Sequence, residues 1–164
     1  MSSPVLPEPS AQGPSHAEAL PVGTRLAEFD IEGLLGVGGF GLVYKAFDRS
    51  LQRSVAIKEY LPGALVGRGQ GLSVALRSPH EAPAFQRGLQ GFLNEARLLA
   101  SFDHPSLVKV FRFWETHGTA YMVMPLYQGM TLQQARSQMR GPPPEAWLRK
   151  VIGGLLGALQ CLHE

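Results

Sequence analysis

The stretch Gly36-Val37-Gly38-Gly39-Phe40-Gly41 constrains this chain more than any other, because of what lies on either side of it. Residues 42–47 are rich in β-branched and aromatic side chains and show no helical period, with Val43, Lys45 and Phe47 on one face. Phe29 and Ile31, within residues 28–35, read as the strand that comes before. The glycines therefore join two strands. By itself the spacing G-x-G-x-x-G is also met in a flexible hairpin that binds nothing. It occurs too in a dinucleotide-binding turn, where the glycines open a helix whose N-terminus holds a pyrophosphate. The strand formers after Gly41 disfavour that second reading. A glycine hairpin can instead lie over a phosphate chain and approach it with backbone N–H groups, since no side chain stands between.

The hairpin belongs to a longer run of strands. Asp48-Arg49-Ser50 reads as a turn and residues 54–60 as a third strand. Residues 63–83 are glycine-rich, show no period and read as a loop. An amphipathic helix follows, with Phe85, Leu89, Phe92, Leu93, Ala96, Leu99 and Ala100 on one face. Gly88 and Gly91 weaken its first half, each by about 1 kcal/mol relative to alanine. Asp103-His104-Pro105 ends it, because proline disfavours the helical region for its predecessor. Residues 107–114 and 119–124 read as two more strands around the turn Thr116-His117-Gly118, and residues 125–130 as a connector. Thr131 is placed to cap a short helix reaching Met139. Pro144 suits the first turn of a final helix, in which Leu148, Val151, Ile152, Leu155, Leu159 and Leu162 predict one buried face. No stop signal follows before Glu164, so the sequence reads as an interrupted domain.

Composition narrows the class. The 164 residues carry 15 Lys+Arg against 13 Asp+Glu, a formal charge of +2, so no broad basic field points to nucleic acid. The one cysteine, Cys161, excludes an intrachain disulfide framework and a cysteine-rich zinc site, and reads as a core or boundary residue of the last helix. The five histidines are too dispersed to suggest a metal site, and none is expected. Residues 1–22, with Pro4, Pro7, Pro9, Pro14 and Pro21 among small and polar residues, read as a disordered tail. No Lys or Arg precedes Arg25 and no apolar run follows the start, so no signal peptide is expected. The longest apolar run, residues 151–159, is far short of the roughly 20 residues of a membrane helix. The chain reads as cytoplasmic, with no membrane segment.

Val55-Ala56-Ile57-Lys58 places a lysine in an apolar strand, on the face of Ala56 and opposite Val55 and Ile57. A strand lysine ordinarily keeps its amine in solvent, but this one lies in the same meander as the glycine hairpin and could reach phosphates beneath it as a compact point charge. An inward lysine needs a carboxylate. Glu95, three residues after Phe92 and four before Leu99, borders the buried face of the predicted helix.

Glycine hairpin, strand lysine and helix glutamate in this order resemble the protein kinases, most closely the bacterial serine/threonine kinases of eukaryotic type. The family's G-x-G-x-x-G-x-V matches residues 36–43, and its V-A-I-K matches Val55 to Lys58 without change. The helix glutamate falls on Glu95, the His-Pro turn on His104-Pro105, and the strand entering the hinge on Tyr121-Met122-Val123-Met124. The resemblance implies an α+β fold. A five-stranded antiparallel sheet with one helix forms an N-lobe and hinge over residues 23–127, and residues 128–164 begin a truncated helical C-lobe.

The resemblance also implies an ATP site. Leu35 or Gly36 would roof the adenine, which lies between Val43 and Ala56, with Met124 as gatekeeper and the Pro125 carbonyl and Tyr127 backbone as its partners. Gly36, Val37, Gly38, Gly39, Phe40 and Gly41 would cover the phosphates, and Lys58 would contact them while paired with Glu95. Family members commonly carry glutamate where Pro125 stands; proline keeps the carbonyl that adenine pairing uses. The His-Arg-Asp base, the metal-holding asparagine and the Asp-Phe-Gly segment would follow the last helix. Without them Mg2+ has no usual protein ligand and a substrate hydroxyl no base, so magnesium and the protein substrate belong to the complete domain. The alternative is a non-catalytic nucleotide-binding or regulatory kinase-like fragment that acts through protein interaction.

Overall fold

The computed structural model describes residues 16–163. Strands β1 (Arg25–Leu26), β2 (Phe29–Gly38), β3 (Gly41–Asp48) and β4 (Arg53–Tyr60) are followed by a short pair, β5 (Val66–Arg68) and β6 (Val74–Leu76). Helix α1 (Ala82–Ser101), strands β7 (Arg112–Thr116) and β8 (Thr119–Pro125), and helices α2 (Leu132–Ser137) and α3 (Glu145–His163) complete the order. Six strands form one antiparallel sheet in the order β1-β2-β3-β4-β8-β7, and β5 and β6 pair separately. The five expected strands are β2, β3, β4, β8 and β7, and the two-residue β1 adds a sixth at the edge.

Strand β4 lies inside the sheet and is covered on both faces, so Val55, Ala56, Ile57, Glu59 and Tyr60 are all buried. Its period-two alternation sends Ala56, Lys58 and Tyr60 to one face and Val55, Ile57 and Glu59 to the other. Helix α1 packs on the first face through Phe85, Leu89, Phe92, Leu93 and Ala96. Tyr60 sits between Phe85 and Phe92, with ring centroids 5.2 and 5.8 Å away, and its hydroxyl donates to the Phe85 carbonyl at 3.3 Å. Gly88 permits this approach: a Cβ there would lie 2.0 Å from the Tyr60 hydroxyl oxygen. A Cβ at Gly91, one turn on, would meet nothing within 4 Å.

The opposite face carries a buried polar network around Glu59, which has no solvent exposure. Its carboxylate accepts from Tyr44 (2.6 Å), Tyr121 (2.9 Å) and both Arg68 terminal nitrogens (2.7 and 2.8 Å). Arg68 also donates to the carbonyls of Glu18 and Leu72. Burial works against the charge on Arg68, but the hydrogen-bonded Glu59 carboxylate offsets that and holds the guanidinium pKa up. The β5–β6 pair lies against the β7–β8 turn, where the Val74 N–H donates to the His117 carbonyl at 2.8 Å.

Four expectations need correction. Residues 63–83 are not an irregular loop throughout, because β5 and β6 form within them. Those strands are three residues long, too short for a visible period. Of the expected disordered tail, residues 1–15 lie outside the described residues, but residues 16–18 form a 3-10 turn and Leu20 is buried in the core. Its backbone N–H donates to the Tyr44 hydroxyl at 3.2 Å. The strand expected over residues 107–114 begins only at Arg112, since the His104-Pro105 turn continues to Leu107, whose N–H donates to the His104 carbonyl. The expected buried face of α3 is apolar but open. Leu148, Ile152, Leu155, Leu159 and Leu162 are exposed, and Ala158 is the buried residue of the helix. Helix α3 meets the N-terminal part through its small residues, Gly154 against Ser106 and Gly157 against His104. Thr131 caps α2 as expected, in a reciprocal capping box with Gln134.

Two predictions follow from this packing. In urea unfolding, Gly91→Ala raises stability by up to about 1 kcal/mol, the helix-propensity gain, because the new methyl meets open space. Gly88→Ala lowers stability despite the same gain, because Tyr60 is pinned between two rings and cannot yield.

The second concerns pH. Burial, followed by the charge and hydrogen bond of Glu59, raises the Tyr44 and Tyr121 phenols well above their ordinary value near 10. In the unfolded chain these phenols ionise near pH 10 while the folded chain keeps them neutral. Their contribution is therefore intact below about pH 10 and lost progressively as pH rises above it. Stability measured at stepped pH should fall more steeply above about pH 10 in the wild type than in Tyr44→Phe.

Candidate functional site

Strands β2 and β3 meet at Gly38 and Gly41, with Gly39 and Phe40 forming the tip of the hairpin. Its return end is pressed onto β4. A Cβ at Gly41 would lie 1.9 Å from the Glu59 carbonyl oxygen, so only glycine fits, and the Leu61 N–H donates to the Phe40 carbonyl at 3.1 Å. The other hairpin glycines answer to no such demand: a Cβ at Gly36 or Gly39 would meet nothing within 4 Å, and neither residue has a positive φ. Beneath the hairpin is a cavity of about 270 Å³, walled by residues 36–41 with Val43 and Lys58.

Lys58 is the one cation in that cavity's lining. Its amine lies 3.4 Å from Glu95 Oε1 and 5.5 Å from the centroid of the Phe92 ring, so helix α1 supplies both a counter-charge and an aromatic face. The pair is open to solvent, with side-chain exposures of 29% for Lys58 and 51% for Glu95. At that exposure it contributes under about 1 kcal/mol to stability, so its consequence is where it holds the charge. A second cavity, of about 280 Å³, adjoins the pair between the hairpin tip and α1, with Phe40, Tyr60, Gly88, Gly91 and Phe92 around it. Phe40, expected over the phosphates, lines both cavities, whereas Tyr60 was not legible as a wall residue because its place depends on the close α1–β4 packing at Gly88.

The residues expected around an adenine occupy the same face of the sheet, farther along. Val43 pairs in register with Lys58 and with Gly36, and Ala56 with Met124, so Val43, Ala56 and Met124 sit on three neighbouring strands. Leu35 falls at a β-bulge, where the register jumps from Leu34–Tyr44 to Gly36–Val43, and its side chain is exposed. Pro125 closes β8 opposite Val55, and Tyr127 follows in the connector. Pro125 and Tyr127 also line a cavity of about 410 Å³ with Asp103, His104, Lys109 and Phe111. The structure thus groups the hairpin, Val43, Lys58 and Glu95 tightly, and leaves Leu35 and Tyr127 at the margins. Among the described residues, no group of three or more His, Cys, Asp or Glu side chains is arranged to hold a metal ion.

With this geometry in view, the comparisons with known proteins agree among themselves. Residues 29–164 match the protein kinase domain family. The chain is 31% identical over 143 residues to the serine/threonine-protein kinase PLK4 of Drosophila willistoni, which covers 87% of this chain and 16% of that protein. It is 29% identical over 130 residues to the serine/threonine-protein kinase pkn2 of Myxococcus xanthus, covering 79% of this chain and 13% of that one. Among solved structures, the apo form of PpkA-294 superposes with a TM-score of 0.76 at 48% identity, over 81% of this chain and 47% of that chain. The PknI kinase domain of Mycobacterium tuberculosis shares the fold, with a TM-score of 0.65 at 21% identity over 88% of this chain. The chain therefore spans about half of these solved chains and under a fifth of the curated relatives. Motif order, sheet topology and these matches agree that the chain belongs to the protein kinase family, carrying part of a kinase domain related to the serine/threonine kinases.

Proposed function

We propose that these residues form the nucleotide-binding part of an ATP-dependent serine/threonine protein kinase. The carrying observation is the open cavity under the glycine hairpin, with Lys58 in its wall and Glu95 against Lys58. Glycines 36 and 39 leave space that nothing among the described residues fills, and the hairpin's backbone N–H groups suit a phosphate chain. A polyphosphate fits this donor set: one ammonium, an amide-lined wall and no carboxylate in the cavity lining.

In this reading Lys58 binds the α- and β-phosphates and Glu95 keeps its amine turned into the cleft. Val43, Ala56 and Met124 give an apolar slot for adenine, roofed by Leu35 or Gly36, and the Pro125 carbonyl and Tyr127 backbone pair with its edge. Phe40, with Val37 and the hairpin glycines, shields the phosphates from water. Bound ATP supplies the γ-phosphoryl group, which the complete domain transfers to a serine or threonine hydroxyl of a protein. The residues here bind and orient the donor. The base that takes the hydroxyl proton and the ligands of Mg2+ belong to segments that these 164 residues do not contain. We place the protein in the cytoplasm; no helix among the described residues is long and apolar enough to cross a membrane.

The test uses the protein with its complete kinase domain. Lys58→Met should leave the circular dichroism spectrum unchanged and abolish phosphate transfer from radiolabelled ATP. Residues 1–164 alone should transfer none. Unchanged transfer by the Lys58→Met protein, or robust transfer by residues 1–164, would overturn the reading.

A further inference from the structure

Two parts of the molecule have no place in the nucleotide reading. One is the back of the sheet, where residues 17–20 and the β5–β6 arm cover β4. The other is the buried carboxylate of Glu59, the residue next to Lys58. The geometry joins them.

Glu59 and Lys58 are neighbours on β4 and point to opposite faces. The backbone of Glu59 abuts Gly41, and Leu61, two residues on, holds the carbonyl of Phe40. Four consecutive residues, 58–61, therefore carry the cleft lysine, the anchored end of the glycine hairpin and the buried carboxylate. That carboxylate has no free valence: Tyr44 on β3, Tyr121 on β8 and the two Arg68 nitrogens occupy both oxygens. Arg68 is held in turn from elsewhere. Its Nε and Nη2 donate to the Glu18 carbonyl at 3.0 and 2.8 Å, and its Nη1 to the Leu72 carbonyl at 3.0 Å. The arm has a second tie in Arg77, which donates to the Gly63 carbonyl at 2.7 Å and pairs with the Glu18 side chain.

A buried ion pair stabilises a fold no better than well-packed apolar residues, but it admits far fewer geometries. A bidentate guanidinium–carboxylate pair fixes distance and plane together. Here that restriction falls on the strand segment that presents Lys58. We propose that Glu59 and Arg68 are positioning residues of the nucleotide site, through which residues 17–20 and the β5–β6 arm fix the place of Lys58 and the glycine hairpin. The proposal rests on the nucleotide reading above. Residues upstream of Gly23 then act on the site from the far face of the sheet, without touching it.

The experiment measures binding of a fluorescent ATP analogue to the full-length protein, at a temperature where every variant is folded by circular dichroism. Arg68→Met should raise Kd at least about tenfold, with Arg68→Lys between it and the wild type. Tyr44→Phe, which removes one donor to Glu59 and keeps the ring, should raise it about threefold, as should removal of residues 1–19. Val66→Ala is the control. It truncates a buried residue of the same arm, lowers the melting temperature and leaves Glu59 untouched, so its Kd should stay within about twofold. The proposal falls if Arg68→Met binds within about twofold of wild type, or if Val66→Ala weakens binding as much at equal loss of melting temperature. Should Arg68→Met fail to fold, Tyr44→Phe against Val66→Ala decides by the same criterion. A wild-type protein that does not bind the analogue, or a Lys58→Met protein that binds it equally well, overturns the nucleotide reading itself and this proposal with it.

Discussion

The Glu59 carboxylate accepts four hydrogen bonds in the absence of solvent, and strand β4 cannot shift without breaking them. A slip of one residue would turn Glu59 toward helix α1 and Lys58 toward Arg68, leaving a buried carboxylate beside aromatic rings and two cations together. Removing one member of a buried pair costs about 3–5 kcal/mol, a large share of the stability of a domain this size. The register of β4 is thus set from the back of the sheet. The neighbouring strands inherit it: Val43 opposite Lys58 on β3 and Met124 opposite Ala56 on β8.

The ion pairs made by Lys58 and Glu59, neighbours on β4, differ in kind. Arg68–Glu59 is bidentate, at 2.7 and 2.8 Å, with the carboxylate fully buried and the guanidinium nearly so. Lys58–Glu95 is a single contact at 3.4 Å, with half of Glu95 exposed. Screening makes the second pair weak and the burial of the first makes it rigid. A site built this way has a fixed strand on one side and a yielding partner on the other. The lysine's strand is thus tied on its far side by short, buried bonds and toward α1 by one longer contact open to solvent.

How much of this could be read beforehand depended on the range of the interactions. The hairpin, the lysine strand, the helix carrying Glu95 and the Thr131 cap are each specified by neighbours within a few positions, and all form as expected. The Glu59–Arg68 pair spans nine residues through a stretch without period, so no spacing rule marks it. Strands β5 and β6 are three residues each, below the length at which alternation can be told from chance. Residues 16–20 have the composition of a tail, yet they are docked by a buried leucine, two backbone groups and the Glu18 carboxylate paired with Arg77. The stripe on α3 shows the opposite error. Periodicity reports that a face is apolar, not that these residues contain its cover, and Ile152, Leu155 and Leu159 stand half exposed.

The glycines supply the last step. Gly41 and Gly88 are demanded from within, one by the Glu59 carbonyl and the other by the Tyr60 ring. Gly36, Gly39 and Gly91 have no such reason, since a methyl at any of them would touch nothing. Glycine inside a helix costs about 1 kcal/mol relative to alanine, and glycine in a hairpin has more freedom to lose on folding. These three border the two cavities that meet at Lys58: Gly36 and Gly39 the one under the hairpin, Gly91 the one against α1. Intrachain packing explains glycine where β4 is approached closely and leaves it unexplained at the three that border the lysine, as it does at Gly33, Gly141 and Gly153 elsewhere. Space kept clear at that cost, on the charged side of the strand, is what a ligand-binding cleft requires and a closed core does not.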